Sequence, residues 1–157
     1  MTEPLITWRG PVLAEWTDYN GHLRDAFYLL IFSYASDGFM AAIGLDAAGR
    51  EATGCSLFTL ECHLNFLHEV KQGEQVEVRT QVLGHDHKRV HLYFTLHRQG
   101  EEAELAASEQ MLLHVSMAGP KSAPFGEVAA RRLVDIVARQ GDRPPAQWAG
   151  RVIRLPG

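Results

Sequence analysis

The sequence predicts an α+β fold in which one antiparallel sheet curves around a single long helix and a second helix closes the chain. Three observations carry this expectation. Residues 16–45 hold a strongly apolar segment of helical spacing, residues 56–117 alternate apolar and polar side chains, and the turns between those alternating runs are too short for helical crossovers.

The first element, Leu5 to Trp16, is extended in character, with Trp8 and Val12-Leu13 around a Gly10-Pro11 interruption, and reads as a bulged or edge strand. A turn containing Asp18, Asn20, Gly21 and His22 follows. It leads into the helix, where Phe27, Leu30, Ile31, Tyr34 and Gly38 keep helical spacing and Tyr28, Phe32, Ala35, Phe39 and Ala42 fill an adjoining face. A helix apolar over most of its circumference expects to be wrapped. Its uncharged run, Ala26 to Ser36, is far shorter than the ~20 apolar residues that a bilayer core requires, which favours a buried central helix over a membrane span.

The helix should end near Gly44, and Asp46 to Gly54 reads as a loop of small and charged residues. Ser56 to Phe66 is the next strand. Its period of two assigns Phe58, Leu60, Cys62, Leu64 and Phe66 to the core face and Thr59, Glu61, His63 and Asn65 to a polar one. After a turn at Glu69 to Gly73, Val76, Val78, Thr80 and Val82 continue the alternation. A polar turn at Gly84 to Lys88 leads into Val90, Leu92, Phe94 and Leu96, and Gln99-Gly100 makes the next turn. Leu105 to Met117 is the last long strand, apolar on both faces at its centre, as an interior strand should be. Pro124 precedes an amphipathic helix, Glu127 to Arg139, with Val128, Leu133, Ile136 and Val137 inward and Arg131, Arg132 and Arg139 outward. Pro144-Pro145 interrupts the tail before a short extended piece, Val152 to Leu155. The hairpin-length links imply a meander, and its open edges and outer face are the kind that a second copy covers, so a homodimer or homotetramer is expected.

A chain of 157 residues without linker or repeat reads as one domain able to bury a core unaided. The net charge of −4, with both signs interspersed, argues against a nucleic-acid partner, which needs a basic stripe. The N-terminus has neither the basic nor the apolar region of a secretory signal, and a cytoplasmic location is expected. Cys55 and Cys62 are an odd number of residues apart in one strand, so they should face opposite ways and stay unbridged.

Asp18 leads the candidates for chemistry. A carboxylate in a glycine-containing turn ahead of an apolar helix can be desolvated and made more basic, and backbone N–H groups near Gly21 and His22 can polarise a carbonyl oxygen. Asp also serves as a plain turn or helix cap. His22 can act as a base or orient Asp18, or be a turn histidine satisfied by backbone. His85, His87 and His91 lack a Cys or carboxylate at zinc spacing, so no metal is expected. No Gly-x-Ser-x-Gly elbow, phosphate loop or dinucleotide fingerprint is present, and no cofactor is implied. Lys88, Arg89, Lys121 and the Arg131-Arg132 pair are candidate phosphate contacts or ordinary surface charge. Glu61 either points into a ligand cleft at a dimer seam or is hydrated.

The run Asp18-Tyr19-Asn20-Gly21-His22-Leu23, followed by Ala26 and Tyr28, resembles the D-x-x-G-H-[VLM]-N-N-x-x-Y opening of the hydroxybenzoyl-CoA thioesterase branch of the hotdog-fold superfamily. The F-L-x-E-x-x-x-G segment at Phe66 to Gly73 and the strand order match too, so the resemblance covers nearly the whole chain. It implies a hotdog fold, a dimeric or larger assembly with sites at subunit interfaces, an acyl-CoA substrate and Asp18 as the catalytic carboxylate. Arg24-Asp25 departs from the usual Asn-Asn, which bears on the acyl group. Within the branch, D-Y-N-G-H-L-R-D-A-F-Y, T-L-E-C-H at 59–63, K-R-V-H at 88–91 and M-L-L-H-V at 111–115 are similar to betainyl-CoA thioesterases of carnitine breakdown. That implies a quaternary ammonium in the acyl group, for which Trp16, Tyr19 and Phe27 offer aromatic faces and Asp25 or Glu61 a carboxylate. A non-catalytic acyl-CoA-binding hotdog and a hotdog dehydratase are the alternatives; the D-x-x-G-H turn favours the thioesterase.

Overall fold

The computed structural model describes residues 3–157; the N-terminal reading above includes Met1 and Thr2, which lie outside them. The elements are β1 (Leu5–Pro11), a 3-10 turn (Ala14–Trp16), α1 (Asp25–Ala42), α2 (Ala47–Thr53), β2 (Cys55–Phe66), β3 (Gln75–His85), β4 (Arg89–Arg98), β5 (Ala106–Ser116), β6 (Lys121–Ser122) and α3 (Glu127–Gln140). The sheet runs β1-β3-β4-β5-β2, with β6 added to β5, and every pairing is antiparallel. Its alternate side chains, including Val78, Leu92, Phe94, Leu96 and Leu112, are buried with Ile31, Phe32, Ala35 and Phe39 of α1 in one core. The sheet curls around α1 as a hotdog.

β1 is an edge strand with a register shift between Ile6 and Trp8, as its sequence suggests. It sits unusually close to the helix, because a Cβ on Gly38 would lie 1.9 Å from the Thr7 carbonyl oxygen. Only a residue without a side chain lets α1 rest on the β1 backbone there.

The structure corrects the expected meander. β3, β4 and β5 follow it, but β2 pairs with β5, and the 67–74 link carries the chain past β5 and β4 to β3. Three strand spacings are only about 14 Å, and eight extended residues span about 25 Å, so a short link suffices without a helix.

β2 also departs from simple alternation. Opposite β5, Thr59 pairs with Leu112 and Glu61 with Met111, leaving Leu60 as a bulge. The extra residue reverses the strand's phase. Leu57 and Cys62 therefore share the helix-facing side, whereas Phe58 joins Glu61, His63 and Asn65 on the outer one, so Phe58 and Leu60 are not core residues. They are 41% and 56% exposed, and Phe66 is 51% exposed at this sheet edge. The same bulge overturns the cysteine geometry: Cys55 and Cys62 oppose Ser116 and Gln110 on a single face of β5, and both are free thiols.

Asp46 to Gly54 is not a loop. Asp46 caps α2 by accepting the Gly49 N–H at 2.8 Å, and Gly54, in the left-handed region, ends it. In α3 the buried stripe is Ala129 and Leu133, continued by half-buried Ile136 and by Gln140, whose amide bonds both the N–H and the carbonyl of Val82. Val128 and Val137, assigned inward by sequence, are 46% and 39% exposed. Val152, Ile153 and Leu155 form no strand and are exposed.

Candidate active site

Asp18 sits in a turn closed by its own backbone. The Asp18 N–H donates to the His22 carbonyl, the Gly21 N–H donates to the Asp18 carbonyl, and Thr17 bridges to Leu23. Gly21 takes φ 75°, which closes the turn without steric cost. The turn is docked on the link between β2 and β3: the Leu23 N–H donates to Val70 and the Gln72 N–H to Gly21. The placement of the candidate carboxylate therefore comes from two sequence-distant loops held together.

Within this frame the Asp18 carboxylate is half-buried, and its Oδ1 accepts the Asn20 N–H at 2.8 Å and the His22 N–H at 3.1 Å. The backbone N–H groups of His22 and Asn20 hold its pKa below the ordinary carboxylate value, overriding the small effect of burial. Asp18 is thus less basic than a desolvated carboxylate. The N–H groups of Gly21 and His22 are engaged inside the turn, one on the Asp18 carbonyl and one on its carboxylate. Oδ2 carries no hydrogen bond among the described residues.

His22 lies 3.5 Å from Glu69 through Nε2, and Tyr28 donates its hydroxyl to the His68 carbonyl at 3.4 Å. Burial, then the Glu69 and Glu74 charges, push the Tyr28 pKa up, so it stays a neutral donor. The sequence assigns Glu69 to the turn at Glu69 to Gly73 and to a family match, not to the site. The F-L-x-E pattern was the available signal.

Trp16 is buried, with Phe27 stacked on it at 6.4 Å and 18°. Tyr19, 92% exposed, belongs to no ring cluster among the described residues. Asp25 is the first residue of α1, exposed, with its carboxylate accepting the Ala26 N–H at 2.8 Å. Glu61 is on the sheet face turned away from α1, opposite Met111 and beside His63. Lys88 and Arg89 are at the β3–β4 hairpin, where Asp86 caps both N–H groups and pairs with the Arg89 guanidinium at 2.6 Å. Eleven-residue β3 separates that hairpin from the Asp18 turn, a distance on the order of 30 Å. The structure therefore brings together Trp16, Asp18, Gly21, His22 and Phe27, and leaves Glu61, Lys88 and Arg89 elsewhere on the same chain. His91 is paired with Glu109 at 2.6 Å.

Grooves of about 560 and 610 Å³ lie where residues of β3 and β4 meet the chain around α3 and after it; the Asp18 turn lines neither. No single helix among the described residues is long and apolar enough to cross a membrane.

The thioesterase-like superfamily profile matches residues 12–133. A betainyl-CoA thioesterase of Pseudomonas aeruginosa is 62% identical over 99% of this chain and 98% of its own. A solved structure from Pseudomonas putida KT2440 superposes with a TM-score of 0.88 at 53% identity, covering 100% of both chains. A Staphylococcus aureus protein solved in complex with CoA superposes with a TM-score of 0.89 at 27% identity, covering 98% of this chain and 97% of that one.

Proposed function

The chain belongs to the thioesterase-like superfamily and is an acyl-CoA thioesterase of the hotdog fold, and from that premise we propose that it hydrolyses betainyl-CoA with Asp18 as the attacking carboxylate. The observation that carries the mechanism is the Asp18 environment: Oδ1 is fixed by two backbone N–H groups, and Oδ2 accepts no hydrogen bond among the described residues. A general base works best with a pKa near the operating pH, whereas a nucleophile needs only to be ionised and aimed. The lowered pKa of Asp18 favours the second role. Oδ2 attacks the thioester carbonyl, the C–S bond breaks and CoA leaves as the thiolate; water then cleaves the mixed anhydride, releasing betaine and restoring the carboxylate, with one of the water's protons going to the thiolate and the other to solvent.

Three features support a homodimer whose active site is shared. β2 is a sheet edge carrying exposed Phe58, Leu60 and Phe66, and α1 leaves Leu29 40% open. Lys88 and Arg89 are too far from the Asp18 turn of their own chain for one short thioester arm to join them, so in this reading a second copy supplies the phosphate contacts. Two free cysteines suit the reducing cytoplasm.

Thiol release from betainyl-CoA tests the proposal. Asp18→Asn should keep the fold and assembly and lower turnover by at least ~10². A folded mutant with near-native turnover rejects the assignment of Asp18. Heavy oxygen appearing in the Asp18 carboxylate after turnover in labelled water would identify direct attack.

A further inference from the structure

Three rings from three separate elements meet beside the Asp18 turn. Trp8 of β1, Trp16 of the 3-10 turn and Tyr34 of α1 have centroids 6.3 Å (Trp8–Trp16), 6.3 Å (Trp8–Tyr34) and 6.4 Å (Trp16–Tyr34) apart, tilted by 46°, 30° and 44°. Phe27 extends the group from the far side of Trp16. Two glycines make the arrangement possible. A Cβ on Gly10 would lie 2.7 Å from the Trp8 ring, so the indole can lie across that position only because it is bare. Gly38 lets α1 touch the Thr7 backbone, which brings Tyr34, one turn earlier, against Trp8. Unlike the fully buried Phe32 and Phe94 stack, this group is open on one side: Trp8 is half-buried and Tyr34 is 39% exposed.

We propose that Trp8, Trp16 and Tyr34 form the receptor for the trimethylammonium head of the acyl group, an assignment that rests on the betainyl-CoA reading above. The three centroids make a nearly equilateral triangle, whose centre is about 3.7 Å from each. A cation about 3.5 Å above that centre is about 5 Å from all three centroids, within the ~6 Å at which a ring whose face turns toward it attracts a cation, with Trp16 the buried member of the three. The position also fits a short acyl group. In betaine the nitrogen is separated from the scissile carbonyl carbon by one methylene, about 2.5 Å, so the cation must bind beside the carboxylate. Only Thr17, extended at φ −106° and ψ 158°, separates Trp16 from Asp18, so their Cα atoms are about 6.6 Å apart. Of the two carboxylates suggested by sequence, Asp25 is exposed at the start of α1 with one oxygen on the Ala26 N–H, and Glu61 is on the outer face of the sheet. In this proposal charge selection falls to the ring faces, with the Asp18 turn supplying the neighbouring anion.

The test compares betainyl-CoA with 3,3-dimethylbutanoyl-CoA, its neutral tert-butyl isostere, as the ratio of their kcat/KM values in the full-length protein. Trp8→Leu and Tyr34→Leu should each lower that ratio by about 2- to 30-fold, the span of one cation–π contact, while Tyr34→Phe, which keeps the ring, retains it. A parallel fall for both thioesters, or an unchanged ratio, overturns the receptor. Should Trp8→Leu fail to fold, the Tyr34 pair decides, because that ring is half-open. Wild-type protein that cleaves other acyl-CoAs but not betainyl-CoA overturns the substrate reading itself, an outcome distinct from loss of the receptor alone.

Discussion

At Asp18 the decisive quantity is where two N–H bonds go. The D-x-x-G-H spacing located the carboxylate in the sequence, but its basicity depends on Asn20 and His22 donating to one oxygen, which is a matter of turn geometry and not of residue type. Residue identity therefore indicated the group and misjudged the direction of its pKa. His97 gives a second residue-scale consequence, one that sequence could not announce because nothing in β4 marks that side of the sheet as covered. It is 4% exposed, and burial followed by the Arg79 charge pushes its pKa down. The unfolded chain then takes up a proton as pH falls through about 6.5 while the folded chain does not, so stability is full above that pH and declines below it. His97→Gln should flatten the decline between pH 7 and 5, by at most about 1.4 kcal/mol per pH unit. Coincident urea midpoints for mutant and wild type at each pH would refute this.

The elements themselves were largely legible, because periods of 3.6 and 2 survive in any context that has a core. What failed was phase. The bulge at Leu60 shifts one residue out of the β2 ladder and exchanges the faces on either side of it, and the α3 stripe runs through small Ala129 and polar Gln140 where larger valines drew the eye. α2 was readable in retrospect from its Asp cap and terminal glycine, but seven residues are too few to establish a helical period. The contact between α1 and β1 was not readable at all, since Gly38 looked like one more small residue in an apolar run. Gly38→Ala should cost about 1–3 kcal/mol as helix and strand are forced apart. Chemical denaturation showing less than a few tenths of a kcal/mol would mean that the two backbones part easily.

For the molecule as a whole, sequence sufficed for the fold class, the wrapped helix and the outer strand β1, while the meander read from the short turns misplaced β2, because a short link can cross a strongly curled sheet. The proposed assembly uses the opposite edge. With Leu60 standing out of the β2 ladder, the surface that a second copy would cover is centred on a residue with no partner of its own. Leu60→Glu should convert dimer to monomer in sedimentation velocity and remove activity with the far-ultraviolet spectrum intact; an active, wild-type-sized mutant would place the interface elsewhere.

The stitching of the Asp18 turn to the 67–74 link has a temporal meaning as well. On a ribosome the carboxylate emerges early, yet the segment that fixes its setting, Val70 to Gln72, is made some fifty residues later and must then be carried past two strands not yet synthesised. Contacts of such sequence separation form slowly. A chain in this state can close the Asp18 turn on itself, through Asn20, Gly21 and His22, but lacks the contacts of Leu23 with Val70 and of Gly21 with Gln72 that fix where the turn sits, so the candidate site is completed only after the link has been made.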